Sequence, residues 1–462
     1  MHGTSSPRRT FAITAGALFM FALDRLIVAT ALPAIQRDLG ASLQALEWTV
    51  NAYTLTFLVL LLAGAALGDR FGRRRVFVLG LAAFTAGSAG AGLAPSVGAL
   101  VAARAIQGAG GAIVLPLSVT ILSAATPAER RGAVLGAWGA VAAVAASLGP
   151  VLGGVLTGAL SWHWIFWLNV PIGLALMPLA HRWLAESRGP HTQLDLPGIA
   201  LSGAGLLALV WALVDAGQVG WSSPRVTLVG VAGAIGIAAF VAWELRAPAP
   251  MVPMRFFRAP GFAGAVAASL LAYCALFGAL FLVGQLFQTG LGATPLHAGL
   301  RLLPMTGAMA VTAPAAGALC DRIGARPLLT GALALMTCAL TWVAVAAAPG
   351  VTYAALVPGL LLIGVGAACL FAPLQVTVLR AVRPVEQGQA SGTATAAREL
   401  GGVLGVAVLA GIFTAHGSTV TAAAFLEGFR PALGAAAIAV GAATLVALAL
   451  PRHPILPQGA SA

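Results

Sequence analysis

The chain has 462 residues, of which 60% are hydrophobic and only 8% charged, and its mean hydropathy is +0.96. A soluble chain of this size needs far more charge to cover its surface. The formal net charge of +12 comes from 25 Arg with no Lys, which excludes a P-loop, whose Lys holds phosphate, and a Schiff-base lysine for retinal or pyridoxal chemistry.

Fourteen apolar stretches fill the chain: 11–32, 47–68, 76–94, 98–122, 132–157, 164–184, 196–214, 226–245, 262–287, 296–319, 327–347, 352–377, 398–415 and 430–450. A spanning helix needs about 20 apolar residues, so fourteen take roughly 280 and leave short loops with no large soluble domain. The sequence predicts an all-α, polytopic membrane protein. Arginine collects in every second gap. By this division 19 Arg fall in cytoplasmic segments, Arg37, Arg225 and Arg430 in outer loops, and Arg25, Arg104 and Arg301 in the membrane. The positive-inside rule then places the chain in the cell membrane with both termini cytoplasmic. It accounts for the net charge without nucleic acid, since basic patches interleaved with aromatics are absent. Cys274, Cys320, Cys338 and Cys369 form no CxxC pair and read as packing thiols. No metal or cofactor is expected.

The first stretch follows Arg8 and Arg9 and lacks a convincing cleavage site, so it reads as a retained helix. It carries LDRLIVATALP (Leu23 to Pro33), which puts Asp24 deep in the span. At 1.5 Å per residue, Asp24 is about 20 Å from the inner end. An ionised Asp there costs roughly 2.5–3.5 kcal/mol to insert. Removal from water disfavours the charged carboxyl, which makes the group a candidate proton carrier. A structural ion pair is the alternative. Asp24 is the only acidic residue this division places deep in a helix. Arg25 points about 100° away and is a poor partner on its own helix.

After the second stretch comes LGDRFGRRR (Leu67 to Arg75), with Asp69, Arg70, Gly72 and Arg73 in a tight turn. The fourth stretch carries RAIQGAGGA (Arg104 to Ala112). Arg104 lies about 9 Å below the outer face, a depth similar to that of Asp24, with Gln107 one turn on. The expectation is that Arg104 tunes Asp24; bracing of helix packing is the alternative. The fifth stretch holds LGPVLGG, with Gly149, Pro150, Gly153 and Gly154. Small residues allow close approach and Pro bends a helix. WHWIFWLNVP (Trp162 to Pro171) opens the sixth.

On the ninth stretch Tyr273, Phe277, Phe281 and Gln285 recur every four residues. This drifting stripe can line an apolar cavity or face lipid. Arg301 stands near the outer end of the tenth, where it can attract an anionic substrate or snorkel to headgroups. The tenth ends in LCDRIGARP (Leu319 to Pro327), which repeats the earlier loop with Asp321, Arg322, Gly324 and Arg326. A short loop repeated at equivalent topology implies two related halves. The expected organisation is a six-helix half over 11–184, two linker helices over 185–258 and a second six-helix half over 259–462. The two loops read as latches that favour one cavity-facing state, or as positive-inside anchors alone.

These motifs, in this order, resemble the major facilitator superfamily, and within it the 14-helix drug:proton antiporter branch, the EmrB/QacA-like exporters. The intramembrane acidic motif, the inner-loop motif, the fourth-helix Arg, the fifth-helix antiporter motif and the sixth-helix motif all have counterparts. Ala65 stands where the loop motif usually begins with Gly, and His163 where Arg is more usual. The resemblance implies alternating access about a midplane cavity faced by helices 1 and 4, and a sealing or bending role for GPxxGG. It implies a proton-coupled exporter of hydrophobic or amphipathic molecules such as drugs or antibiotics, with the bilayer, protons and a small-molecule substrate as partners. The alternatives are a metabolite facilitator without proton coupling and a non-transporting membrane sensor. An enzyme is not expected, since HExxH, GxSxG and paired-carboxylate arrangements are missing.

Overall fold

The computed structural model describes residues 6–41, 43–189, 195–220, 222–293, 295–418 and 420–451, and among these it is helical with no strand. Helices α1 (Pro7–Leu39), α2 (Leu43–Phe71), α3 (Arg73–Gly92), α4 (Val97–Ala124) and α5 (Arg131–Ala159) come first. A helix in two parts follows, α6 (Trp164–Trp167) and α7 (Asn169–Trp183). Next are α8 (Leu196–Val219) and α9 (Pro224–Glu244). Then come α10 (Pro260–Gln285), a π-helical turn, α11 (Pro295–Arg301), α12 (Leu303–Ile323) and α13 (Ala325–Ala346). The chain ends in α14 (Tyr353–Ala368), α15 (Phe371–Arg380), α16 (Gln387–His416) and α17 (Ala422–Leu448). Among the described residues, twelve helical spans are long and apolar enough to cross a membrane. α1, with 33 residues, and α5, with 29, are of comparable length.

Local chemistry sets several boundaries. The Ser96, Asp195 and Thr421 side chains accept the exposed N–H groups that open α4, α8 and α17. Gly72 (φ 106°) and Gly324 (φ 90°) are the single residues between α2 and α3 and between α12 and α13. Side chains disfavour that backbone region, so the repeated loop keeps Gly at the same place. Four expected helices differ. The sixth, tenth and twelfth stretches break, into α6 and α7, α11 and α12, and α14 and α15. α16 begins at Gln387 rather than 398, because the polar, small-residue run 387–397 continues the helix.

Packing segregates along the chain. One large core cluster draws only on residues 256–450, and two others only on residues 13–184. A further cluster, around Trp138, joins them through Leu135, Val376 and Leu379. Glycine permits the closest crossings. A Cβ on Gly405 of α16 would lie 1.9 Å from the Cys274 carbonyl oxygen of α10, and one on Gly108 of α4 2.4 Å from that of Tyr53. Without a hydrophobic drive between helices in lipid, such backbone approach supplies the packing. Both described chain ends lie at the end of the bundle that carries the two repeated loops: Arg9 stacks over Trp183, and Pro451 lines a cavity with Gly324. This is the loop end of the bundle.

Candidate functional site

Asp24 is fully buried on α1 and gathers polar groups from three other helices. Arg104 of α4 forms a hydrogen-bonded ion pair with Asp24 Oδ2. Gln107 Nε2 and Asn169 Nδ2 donate to Oδ1 at 3.0 and 2.8 Å. Both amides also donate to Ser88 Oγ on α3, at 2.6 and 3.1 Å. Arg104 is fixed in turn: it donates to Gln107 Oε1 and to the Thr49 carbonyl, and its guanidinium lies 4.4 Å from the centre of the Tyr53 ring. A buried charge survives only when paired and hydrogen-bonded, and this one is both.

Arg25, one residue on, points the other way and reaches Glu399 of α16 at 2.8 Å. Arg398 holds the other carboxylate oxygen of Glu399 at 3.0 Å. Glu399 is only 4% exposed and is the thirteenth residue of a 30-residue helix. Asp24 is therefore not the only deep carboxylate. The earlier start of α16 draws Arg398 and Glu399 from an expected helix end into its middle.

Above these pairs lies a cavity of about 730 Å³. Arg25, Tyr53, Arg104 and Phe277 lie at its base, and its walls run to Gly220 beyond α8 and to Thr414 near the end of α16, away from the loop end. Val210, Leu213 and Ala216 make α8 part of the wall. Of the stripe on α10, Phe277 reaches this cavity. Tyr273 stacks on Phe277 and faces Arg398 in a small adjoining pocket. Phe281 is 39% exposed, and neither it nor Gln285 lines the cavity. The period of four drifts round the helix and carries the stripe away. Gln107 is spent on Asp24. Arg301 sits apart, against the rings of Phe287 and Tyr353 at 5.9 and 5.7 Å.

The repeated loops sit at the loop end in matching roles. Asp321, in the last turn of α12, accepts from the N–H groups of Gly132 and Ala133 in the first turn of α5, at 2.9 and 2.8 Å. Asp69, in the last turn of α2, takes Arg73 at 2.9 Å and lies against the first turn of α16, where a Cβ on Gly388 would come within 2.6 Å of its carboxylate. Each Asp thus meets a helix N-terminus of the opposite part of the chain, where the helix dipole favours an anion. Arg74 and Arg75 share Glu186. Arg70 stacks on Phe71, Arg322 is exposed, and Arg326 donates to the Leu448 carbonyl. On α5, Gly149 and Gly153 are buried, while a Cβ on Gly154 would meet nothing within 4 Å. Close packing accounts for the motif only in part. The helix continues through Pro150 to Ala159.

Asn169, Ser88, Arg398 and Glu399 were not singled out from the sequence. Asn169 lies inside the WHWIFWLNVP motif, which offered a signal. Ser88 had none, in a helix rich in Ala and Gly.

A bundle of helices long and apolar enough to cross a membrane, around a cavity that ends on buried ion pairs, has the architecture of a membrane transporter. The chain belongs to the Major Facilitator Superfamily, whose sequence profile matches residues 14–406 and again 266–460. Similar proteins include the multidrug resistance protein Stp of Mycobacterium tuberculosis, 36% identical over 409 residues that cover 88% of this chain and 76% of the relative. The methylenomycin A resistance protein of Streptomyces coelicolor is 36% identical, with 84% and 82% covered. The tetracenomycin C resistance and export protein of Streptomyces glaucescens is also 36% identical, with 87% and 75% covered. The fold matches the human organic anion transporter MFSD10 with a TM-score of 0.69 at 18% identity, over 96% of this chain and 99% of that one. The proton:xylose symporter XylE matches at 0.67 and 16% identity, over 96% of each.

Proposed function

We propose that this chain is a proton-coupled exporter of hydrophobic or amphipathic small molecules, antibiotics among them, that works by alternating access. The observation that carries the reading is Asp24, buried beneath a cavity and held by Arg104, Gln107 and Asn169. The names of the similar resistance and export proteins support the direction and class of cargo. α1 and α5 join the twelve spans to make fourteen, as two six-helix halves with α8 and α9 between them. Arginine crowds the loop end, so that end is cytoplasmic, both termini lie there, and the cavity faces outward. Asp69, Arg73 and Asp321 latch this state at the cytoplasmic end. A proton arriving through the cavity neutralises Asp24 and frees Arg104, the halves rock, and the latches open toward the cytoplasm. The proton leaves there and cargo enters.

The cavity lining includes Arg25 and Arg104 and, among the described residues, no carboxylate. Neutral or anionic cargo with acceptor groups therefore suits it better than a dication. The test is transport into inverted proteoliposomes under an imposed pH gradient, with puromycin and the dyes fluorescein and ethidium as probes. Asp24→Asn is expected to lower gradient-driven transport at least tenfold. Full-rate transport by Asp24→Asn would refute the coupling role.

A further inference from the structure

The loop end holds a second cavity, of about 780 Å³, between the ends of α10, α13, α15 and α17. Four arginines line it, Arg255, Arg258, Arg326 and Arg380, and no carboxylate does among the described residues. Arg255 is partly neutralised by Glu386, and Arg326 donates to a carbonyl. Arg258 and Arg380 are exposed and make no ion pair among the described residues. The contrast with the other repeated loop is direct: there Arg73 has Asp69, and Arg74 and Arg75 share Glu186. The second loop keeps its arginine and surrounds it with further arginines, but among the described residues no carboxylate lines that cavity as Glu186 faces the first loop. An excess of at least two positive charges faces an open space of ligand size.

The surrounding surface decides what kind of anion fits. Ile323 and Leu448, half exposed, border the same cavity, and Pro260 and Pro451 add apolar wall. The ligand must pair an anionic head with apolar tails. Basic pockets between helix ends at the inner face of a membrane suit phospholipid headgroups. We propose that this cavity binds the phosphate headgroup of one anionic phospholipid, with its acyl chains along Ile323 and Leu448. The site is independent of the cargo and proton reading above. Its occupant touches Arg326, five residues beyond the Asp321 that holds α5.

Native mass spectrometry of the purified full chain tests this, with phosphatidylglycerol against phosphatidylcholine. One phosphatidylglycerol is expected to be retained in preference to phosphatidylcholine. At about a fivefold effect per arginine, Arg258→Gln with Arg380→Gln should weaken retention roughly thirtyfold. Arg246→Gln, beyond the end of α9 and outside the cavity, should leave it unchanged. Both cavity arginines are exposed, so the double variant should melt like the parent; if it does not, Arg258→Gln alone, with its fivefold loss, serves instead. Equal retention of the two lipids, or undiminished retention by the cavity variants, would overturn the proposal. So would displacement by millimolar inorganic phosphate, which would make the occupant a soluble phosphate.

Discussion

Asp24 depends on a chain of donors, each of which is itself held. Arg104 is anchored by Thr49 and Gln107, and Gln107 and Asn169 both rest on Ser88. A fork-shaped guanidinium serves three acceptors at once, which an ammonium on a flexible stem does less well. Removing one member of a buried pair leaves the other charge uncompensated, at a cost of about 3–5 kcal/mol. Arg104→Ala is therefore expected to destabilise the protein by about that amount in detergent melting. Arg104→Lys, which keeps the charge, should recover about half. Equal melting of both variants would show that the charge on Arg104 contributes nothing to stability. The glycines argue in the same way. Gly405 has a backbone oxygen where a Cβ would stand, whereas Gly154 has open space, so a shared residue type conceals opposite roles.

At the scale of elements, the two repeated loops are helix ends joined to foreign helix starts. Asp321 satisfies two of the N–H groups that open α5. Replacing an acceptor at a helix N-terminus with Ala costs roughly 0.5–2 kcal/mol. Asp321→Ala should lose about this much stability and raise the alkylation rate of a cysteine placed at Ala133, whose N–H also donates to Asp321. An unchanged rate would remove Asp321 from the latch. The loops, and the helices they join, were legible because charge, Gly and apolar length are local signals. The partners were not, since nothing local pairs residue 321 with residue 132. α16 shows a different limit. Its first eleven residues, QGQASGTATAA, carry little apolar periodicity, yet most are buried against neighbouring helices. Tertiary contact makes that segment helical, and so the depth of Glu399 could not be inferred from the pattern around it. α8 is the converse case: plainly a helix from its sequence, it gave no sign that it walls the cavity.

Across the whole molecule, the close polar approaches between α1–α5 and α12–α16 lie at the base of the cavity above Arg25 or at the loop end. Arg25 with Glu399 is an ion pair and Asp321 at α5 a pair of hydrogen bonds, while Asp69 packs closely against the first turn of α16. A bundle fastened on one side of its midplane can open only on the other, so each link must break before the cavity faces the loop end. Arg25 is 37% exposed to the cavity, which screens its pair and limits the pair to about 1–2 kcal/mol despite the burial of Glu399. An energy of that size moves a two-state population by about five- to thirtyfold. Glu399→Gln is thus expected to favour the state open at the loop end. Spin labels at Phe71→Cys and Ile323→Cys, in a chain stripped of its native cysteines, would read this as a longer distance becoming populated. With Arg398, the second partner of Glu399, replaced by Gln throughout, exchanging the charges with Arg25→Glu and Glu399→Arg together should draw the distribution back toward that of the unexchanged pair. If the exchanged pair behaves like the sum of two broken ones, the link is not the Coulombic contact between α1 and α16. The two remaining latches would then have to hold the loop end closed by themselves.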